Sequence, residues 1–158
     1  MALQFSEESQ KKFEELLPRY PEKRAALLPT LWLAQEEFGT LTPEVLTYVG
    51  SLLDLAPSYV YGTASFYTMY NIKPQGQYKI EVCRTLSCAM CGAFEIVDHL
   101  EKKLGIHLGE TTQDGKFTLG TAECLGSCGT APMFQINGKQ YYEDLTTEKV
   151  DQILAELA

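Results

Sequence analysis

Residues 78–92, YKIEVCRTLSCAMCG, decide how the rest of the chain is read. Tyr78, Ile80 and Val82 alternate with polar residues, the period-two pattern of a strand, and the run leads straight into Cys83. Phe94, Ile96, Val97, Leu100 and Leu104 then recur at helical spacing, which predicts a helix over 89–104 closed by Gly105. A second stretch, residues 121–132, TAECLGSCGTAP, is built alike. A strand over 117–123 delivers Cys124, and Cys128 follows across Leu125-Gly126-Ser127. Residues 133–136 and 140–142 flank Asn137-Gly138 and predict a hairpin. Val150, Ile153, Leu154 and Leu157 predict a closing helix over 147–157. The order β-α-β-β-β-α describes a small α+β sandwich with its cysteines on loops at one end.

Upstream the pattern is helical. Ser6 can cap a first helix ending at Pro18. Leu27, Leu28, Leu31, Trp32, Leu33 and Phe38 mark a second one over 22–38, which Pro29 should kink or split. Thr42-Pro43-Glu44 starts a third, and Ala56-Pro57-Ser58 starts a fourth that runs through Phe66-Tyr67. Lys73-Pro74-Gln75-Gly76 is a turn-rich link, so we expect a helical bundle over 1–72 and an α+β domain over 73–158. The aromatic set Tyr59, Tyr61, Phe66, Tyr67 and Tyr70 suits either a docking surface or packing, with Phe66 and Tyr67 read as packing.

With 13 Lys+Arg against 21 Asp+Glu, the formal net charge of -8 argues against a nucleic-acid partner, which needs a basic face. The most apolar early run, Ala25 to Ala34, is interrupted by Pro29 and too short to span a bilayer. No basic-then-apolar signal pattern opens the chain, so we expect the cytoplasm, where thiols stay reduced. Five cysteines in that setting read as metal ligands or redox groups before they read as disulfides.

Cys83/Cys88 and Cys124/Cys128 form two short-spaced pairs. A [2Fe–2S] cluster takes two thiolates per iron from opposite sides, which suits separated pairs, and backbone N–H groups can offset its negative charge. Four cysteines also make a closed zinc site, though its usual spacing is tighter. Cys88-Ala89-Met90-Cys91 has the form of a dithiol redox motif at a helix start. Cys83, Cys88 and Cys91 together have plant-type ferredoxin spacing, with Cys124 or Cys128 to complete a set. The strand-then-helix context favours Cys91 as a spare, buried thiol. Arg84, next to a cysteine, could raise the potential of a bound cluster or simply face solvent. His99 and His107 read as solvated or core residues, no Gly-x-Gly-x-x-Gly follows a strand, and no autonomous catalytic constellation stands out.

YPEKRAALLPTLWLAQEEFG, VYGTASFYTMYNIKPQGQY, VCRTLSC and AECLGSCGTAPMFQING carry a resemblance along the whole chain. It resembles the 24-kDa-type subunit of respiratory complex I, a family that in bacteria belongs to NADH:quinone oxidoreductase. The resemblance implies a helical bundle followed by a thioredoxin-like ferredoxin domain that holds one [2Fe–2S] cluster through Cys83, Cys88, Cys124 and Cys128. It also implies single-electron exchange with a flavin- and NADH-binding partner, which carries the FMN and NADH. The assembly would lie in the cytoplasm, peripheral to the inner membrane, with no direct membrane insertion. Cys91 departs from the family pattern. Two other machines stay open: an equivalent subunit of an NAD-linked hydrogenase or formate dehydrogenase, and, more remotely, a zinc-stabilised interaction module.

Overall fold

A computed structural model of the protein describes residues 3–157. The chain divides between Pro74 and Gln75 into two compact units.

The first unit is helical. Ser6 caps α1 (Glu7–Leu16), its Oγ accepting from the Ser9 N–H at 3.3 Å. A 3₁₀ turn over Leu17–Arg19 takes in Pro18, and another over Lys23–Ala26 leads into α2 (Leu27–Phe38). Pro29 neither kinks nor splits that helix. Because α2 starts at Leu27, Pro29 falls in its first turn, where a missing N–H costs no intrahelical bond. Thr42 caps α3 (Pro43–Leu53) through the Val45 N–H, and α4 (Pro57–Phe66) begins at its proline. Leu31, Leu41, Val49, Leu53 and Val60 are fully buried between these helices.

The second unit places the cysteines. Its elements are β1 (Tyr78–Cys83), α5 (Leu86–Met90), α6 (Ala93–Leu104), β2 (Phe117–Ala122), β3 (Phe134–Ile136), β4 (Gln140–Tyr142) and α7 (Thr147–Leu157). The expected single helix over 89–104 is two helices, which adds one element to the expected order. Gly92 is the cause: its φ of 94° is a left-handed conformation that ends α5 and redirects the chain into α6. Strand order in the sheet is β2-β1-β3-β4, with β1 parallel to β2 and antiparallel to β3. Ile96, Val97 and Leu100 of α6 and Val150, Ile153 and Leu154 of α7 fall at helical spacing and are buried in one core with Ile80, Val82, Leu119 and Phe134. Each fully buried aliphatic side chain there contributes about 1.5–3 kcal/mol.

Asp151 of α7 ties the two helices at the surface. His99 Nε2 donates to its carboxylate at 2.9 Å, and Lys103 Nζ lies 3.2 Å away. These donors, His99 first, hold the carboxyl below its ordinary value of 3.8. A depressed carboxylate stabilises the fold fully above its unfolded value, and that contribution is lost as pH falls through the folded value. We expect Asp151→Asn to reduce the drop in thermal midpoint between about pH 6 and about pH 3. An unchanged drop in calorimetry would show that the link adds nothing.

Candidate metal centre

The parallel register of β1 and β2 sets Cys83, the last residue of one strand, opposite Ala122, the last of the other. Both chains therefore leave the sheet at the same end, and Cys124 lies two residues beyond Ala122. The Arg84 N–H donates to the Ala122 carbonyl at 3.1 Å and locks the exit of the first loop to that of the second. On the other flank the Cys83 N–H donates to the Met133 carbonyl at 3.1 Å. Cys88 is presented by the short α5, and Cys128 opens a 3₁₀ turn over Cys128–Thr130.

These placements bring four thiols together. Cys83 lies within hydrogen-bonding reach of both Cys88 and Cys124, and Cys128 acts electrostatically on Cys88. All are free, with Cys83 and Cys88 buried and Cys124 and Cys128 exposed. Backbone N–H groups of Thr85 and Leu125 point at the Cys83 sulfur, and that of Met133 points at Cys88. Burial alone pushes the Cys83 thiol up. The two N–H donors and the neighbouring thiols of Cys88 and Cys124 outweigh it, so its pKa is lowered. Cys88 moves the other way, raised by burial first and then by Cys83.

Among the described residues no group of three or more His, Cys, Asp or Glu is placed to hold a metal ion. A binuclear centre asks for something else, two thiolates at each iron, together with donors to offset its charge. The donor set has that character: soft sulfur ligands, two of them buried, with three backbone N–H groups aimed at the buried pair.

The sequence profile described as thioredoxin-like [2Fe-2S] ferredoxin matches residues 13–158. The chain belongs to that family. The family's description carries its cofactor, a [2Fe–2S] cluster, and the thiols fit that group. Among curated relatives, an NADH-quinone oxidoreductase subunit of Rhizobium meliloti (strain 1021) is 41% identical over 143 residues, 90% of this chain and 84% of that one. The corresponding NADH-quinone oxidoreductase subunit of Thermus thermophilus is 42% identical over 155 residues, 97% of this chain and 86% of that one. That of Rickettsia felis is 46% identical over 146 residues, covering 90% of this chain and 87% of that one. A crystal structure of an NAD+-reducing [NiFe]-hydrogenase, air-oxidized, superposes with a TM-score of 0.74 at 25% identity. That match takes in 84% of this chain, which spans only 22% of the hydrogenase chain.

Within this ferredoxin, several expectations change. Cys91 is exposed, not buried, because it caps the C-terminus of α5 instead of sitting one turn into a helix. Cys88 is buried and interacts with Cys83, whereas Cys91 of the Cys88-x-x-Cys91 run is exposed. Arg84 is half exposed and pairs with Glu123. His99 serves the α6–α7 link, and His107 is 84% exposed. Phe66, read as a packing residue, is 77% exposed, whereas Tyr70 is buried with its hydroxyl donating to the Leu28 carbonyl at 2.7 Å. Sequence reasoning also missed Thr85 and Met133, which act through backbone N–H groups that no side chain announces, and Glu143, which reaches the second loop from beyond the hairpin.

Gly126 gives the second loop its shape. Its φ is 78°, and the residue before it, Leu125, is the one whose N–H meets Cys83. Open space surrounds it, so a methyl group would meet no clash and the cost of Gly126→Ala would be conformational, about 1–2 kcal/mol. Urea unfolding of the metal-free protein measures this, and an unchanged midpoint would mean that the loop relaxes.

Proposed function

We propose that Cys83, Cys88, Cys124 and Cys128 ligate one [2Fe–2S] cluster and that the protein is the electron-carrying [2Fe–2S] subunit of an NADH-quinone oxidoreductase. The unit that begins at Gln75 is its cluster domain, and the helical unit that ends at Pro74 accompanies it. The observation that carries this reading is the meeting of the two cysteine pairs at the shared end of β1 and β2, with backbone N–H groups turned toward the buried sulfurs. A [2Fe–2S] group supplies, when bound, a place where one electron is stored or returned.

The chain's own residues do the rest. Buried Cys83 and Cys88 keep water from one side, and the Thr85, Leu125 and Met133 N–H groups stabilise negative sulfur there. Exposed Cys124 and Cys128 turn the other side outward, where a partner's redox group can approach. That partner is a flavin- and NADH-binding protein, since a two-electron hydride donor needs a flavin to pass electrons singly. FMN and NADH belong on it, and the pair forms a heterodimer in the peripheral arm on the cytoplasmic side of the inner membrane. No helix among the described residues is long and apolar enough to cross a membrane.

The names of relatives 41–46% identical over about nine-tenths of the chain support the NADH-quinone assembly. The fold match to the NAD+-reducing hydrogenase favours a second reading, the equivalent subunit of such a hydrogenase. Partners that copurify with the chain separate the two.

The full chain, purified anaerobically, should be red-brown, carry about two irons and bleach with dithionite. Serine at any one of Cys83, Cys88, Cys124 or Cys128 should abolish or reshape the visible absorbance, while Cys91→Ser keeps it. A colourless protein with one zinc would overturn the reading, and loss of the cluster in Cys91→Ser would reassign the ligands.

A further inference from the structure

The second cysteine loop is the less regular of the two. Between the end of β2 at Ala122 and the start of β3 at Phe134 its only repeating structure is the 3₁₀ turn Cys128–Thr130. Such a segment loses its ligand geometry unless something outside it fixes it, because ordering each loop residue costs conformational entropy.

Glu143 is placed to do so. Its carboxylate accepts a hydrogen bond from the Ser127 hydroxyl and another from the Thr130 hydroxyl at 2.8 Å. Those residues bracket Cys128, one before it and two after. The backbone of the same segment grips the same loop: the Asp144 N–H donates to the Thr130 carbonyl at 2.8 Å and the Leu145 N–H to the Pro132 carbonyl at 3.0 Å. Lys149 Nζ donates to the Glu143 carbonyl at 2.6 Å and steadies the segment from α7. The hydroxyl donors, Ser127 first, hold the Glu143 carboxyl below the usual carboxylate range, so it is charged at neutral pH and the bonds are of the stronger, charge-assisted kind.

Glu143 directly follows β4, which pairs with β3, which pairs with β1, whose last residue is Cys83. The carboxylate is therefore mounted on the sheet that positions the first thiol, and it holds the turn that positions the last.

We infer that Glu143 is a positioning residue for the cluster: by accepting from Ser127 and Thr130 it fixes the turn that presents Cys128 and so sets how firmly and in what geometry that thiolate holds iron. This rests on the proposed ligation by Cys83, Cys88, Cys124 and Cys128.

The test loads the full-length protein and compares it with Glu143→Gln, Glu143→Ala and the double variant Ser127→Ala/Thr130→Val. Two quantities are read: the rate of iron release to a chelator, and the g-values of the dithionite-reduced centre by electron paramagnetic resonance. Glu143→Ala should release iron at least about tenfold faster, the scale of one lost charge-assisted hydrogen bond, with displaced g-values. The double variant should reproduce both effects, and combining all three changes should add little further. Glu143→Gln keeps a carbonyl acceptor and should stay within about threefold of the parent.

Parent-like rates and spectra in Glu143→Ala overturn the inference. So does a Glu143→Gln as impaired as the alanine variant, since charge and not geometry would then be at work. Should Glu143→Ala fail to fold, the double variant decides, because it leaves the carboxylate in place and removes only its donors; parent-like behaviour there also overturns the inference. A parent protein that binds no iron brings down the ligand assignment itself, a result distinct from an iron-loaded parent whose variants match it.

Discussion

The parallel pairing of β1 with β2 is the constraint on which the rest of the site depends. Tyr78 pairs with Phe117 and Cys83 with Ala122, so both strands run toward the cysteine end and stop together. Parallel strands cannot be joined by a tight turn, and the connection here carries α5 and α6. That long crossover is what lets two loops, separated by a helix and a strand, open side by side. An antiparallel pairing would send Cys124 to the opposite end of the sheet.

Placing four sulfurs together creates an electrostatic problem that the fold meets with backbone groups. A buried thiolate is costly unless donors reach it. Here the donors are the N–H groups of Thr85, Leu125 and Met133, one from each of the three chain segments that leave or enter the sheet at this end. Such donors do not titrate and are held by strand ends and turns, so their field is set in advance. Arg84, the residue after Cys83, is engaged with Glu123.

Membership of the thioredoxin-like [2Fe-2S] ferredoxin family and the geometry of the loops agree on what kind of object this is. The sheet and its two covering helices, α6 and α7, form a firm core, and the chemistry sits on irregular segments at its edge, as binding groups commonly do. The opposed shifts of Cys83 and Cys88 express that arrangement. Both thiols are buried; backbone donors and neighbouring thiols lower the pKa of Cys83, while burial raises that of Cys88.

What the sequence determined by itself is local. Alternation at Tyr78, Ile80 and Val82, the caps at Ser6 and Thr42, the Asn137-Gly138 turn and the helical spacing from Val150 to Leu157 each lie within a few residues, and the elements form where those patterns stand. The paired cysteines were legible for the same reason, since their spacing and their position after strands can be read directly. Pro29 and the 89–104 run were misread because the effect of a breaker depends on where the helix starts, which packing decides. The exposure of Cys91, the pairing of Arg84 with Glu123, the amides aimed at sulfur and the reach of Glu143 to Ser127 and Thr130 were settled only by tertiary structure. The pairing of Arg84 with Glu123 and the reach of Glu143 depend on which chain segments the sheet register sets side by side, and those contacts, across 13 to 39 residues, leave no periodic trace along the chain.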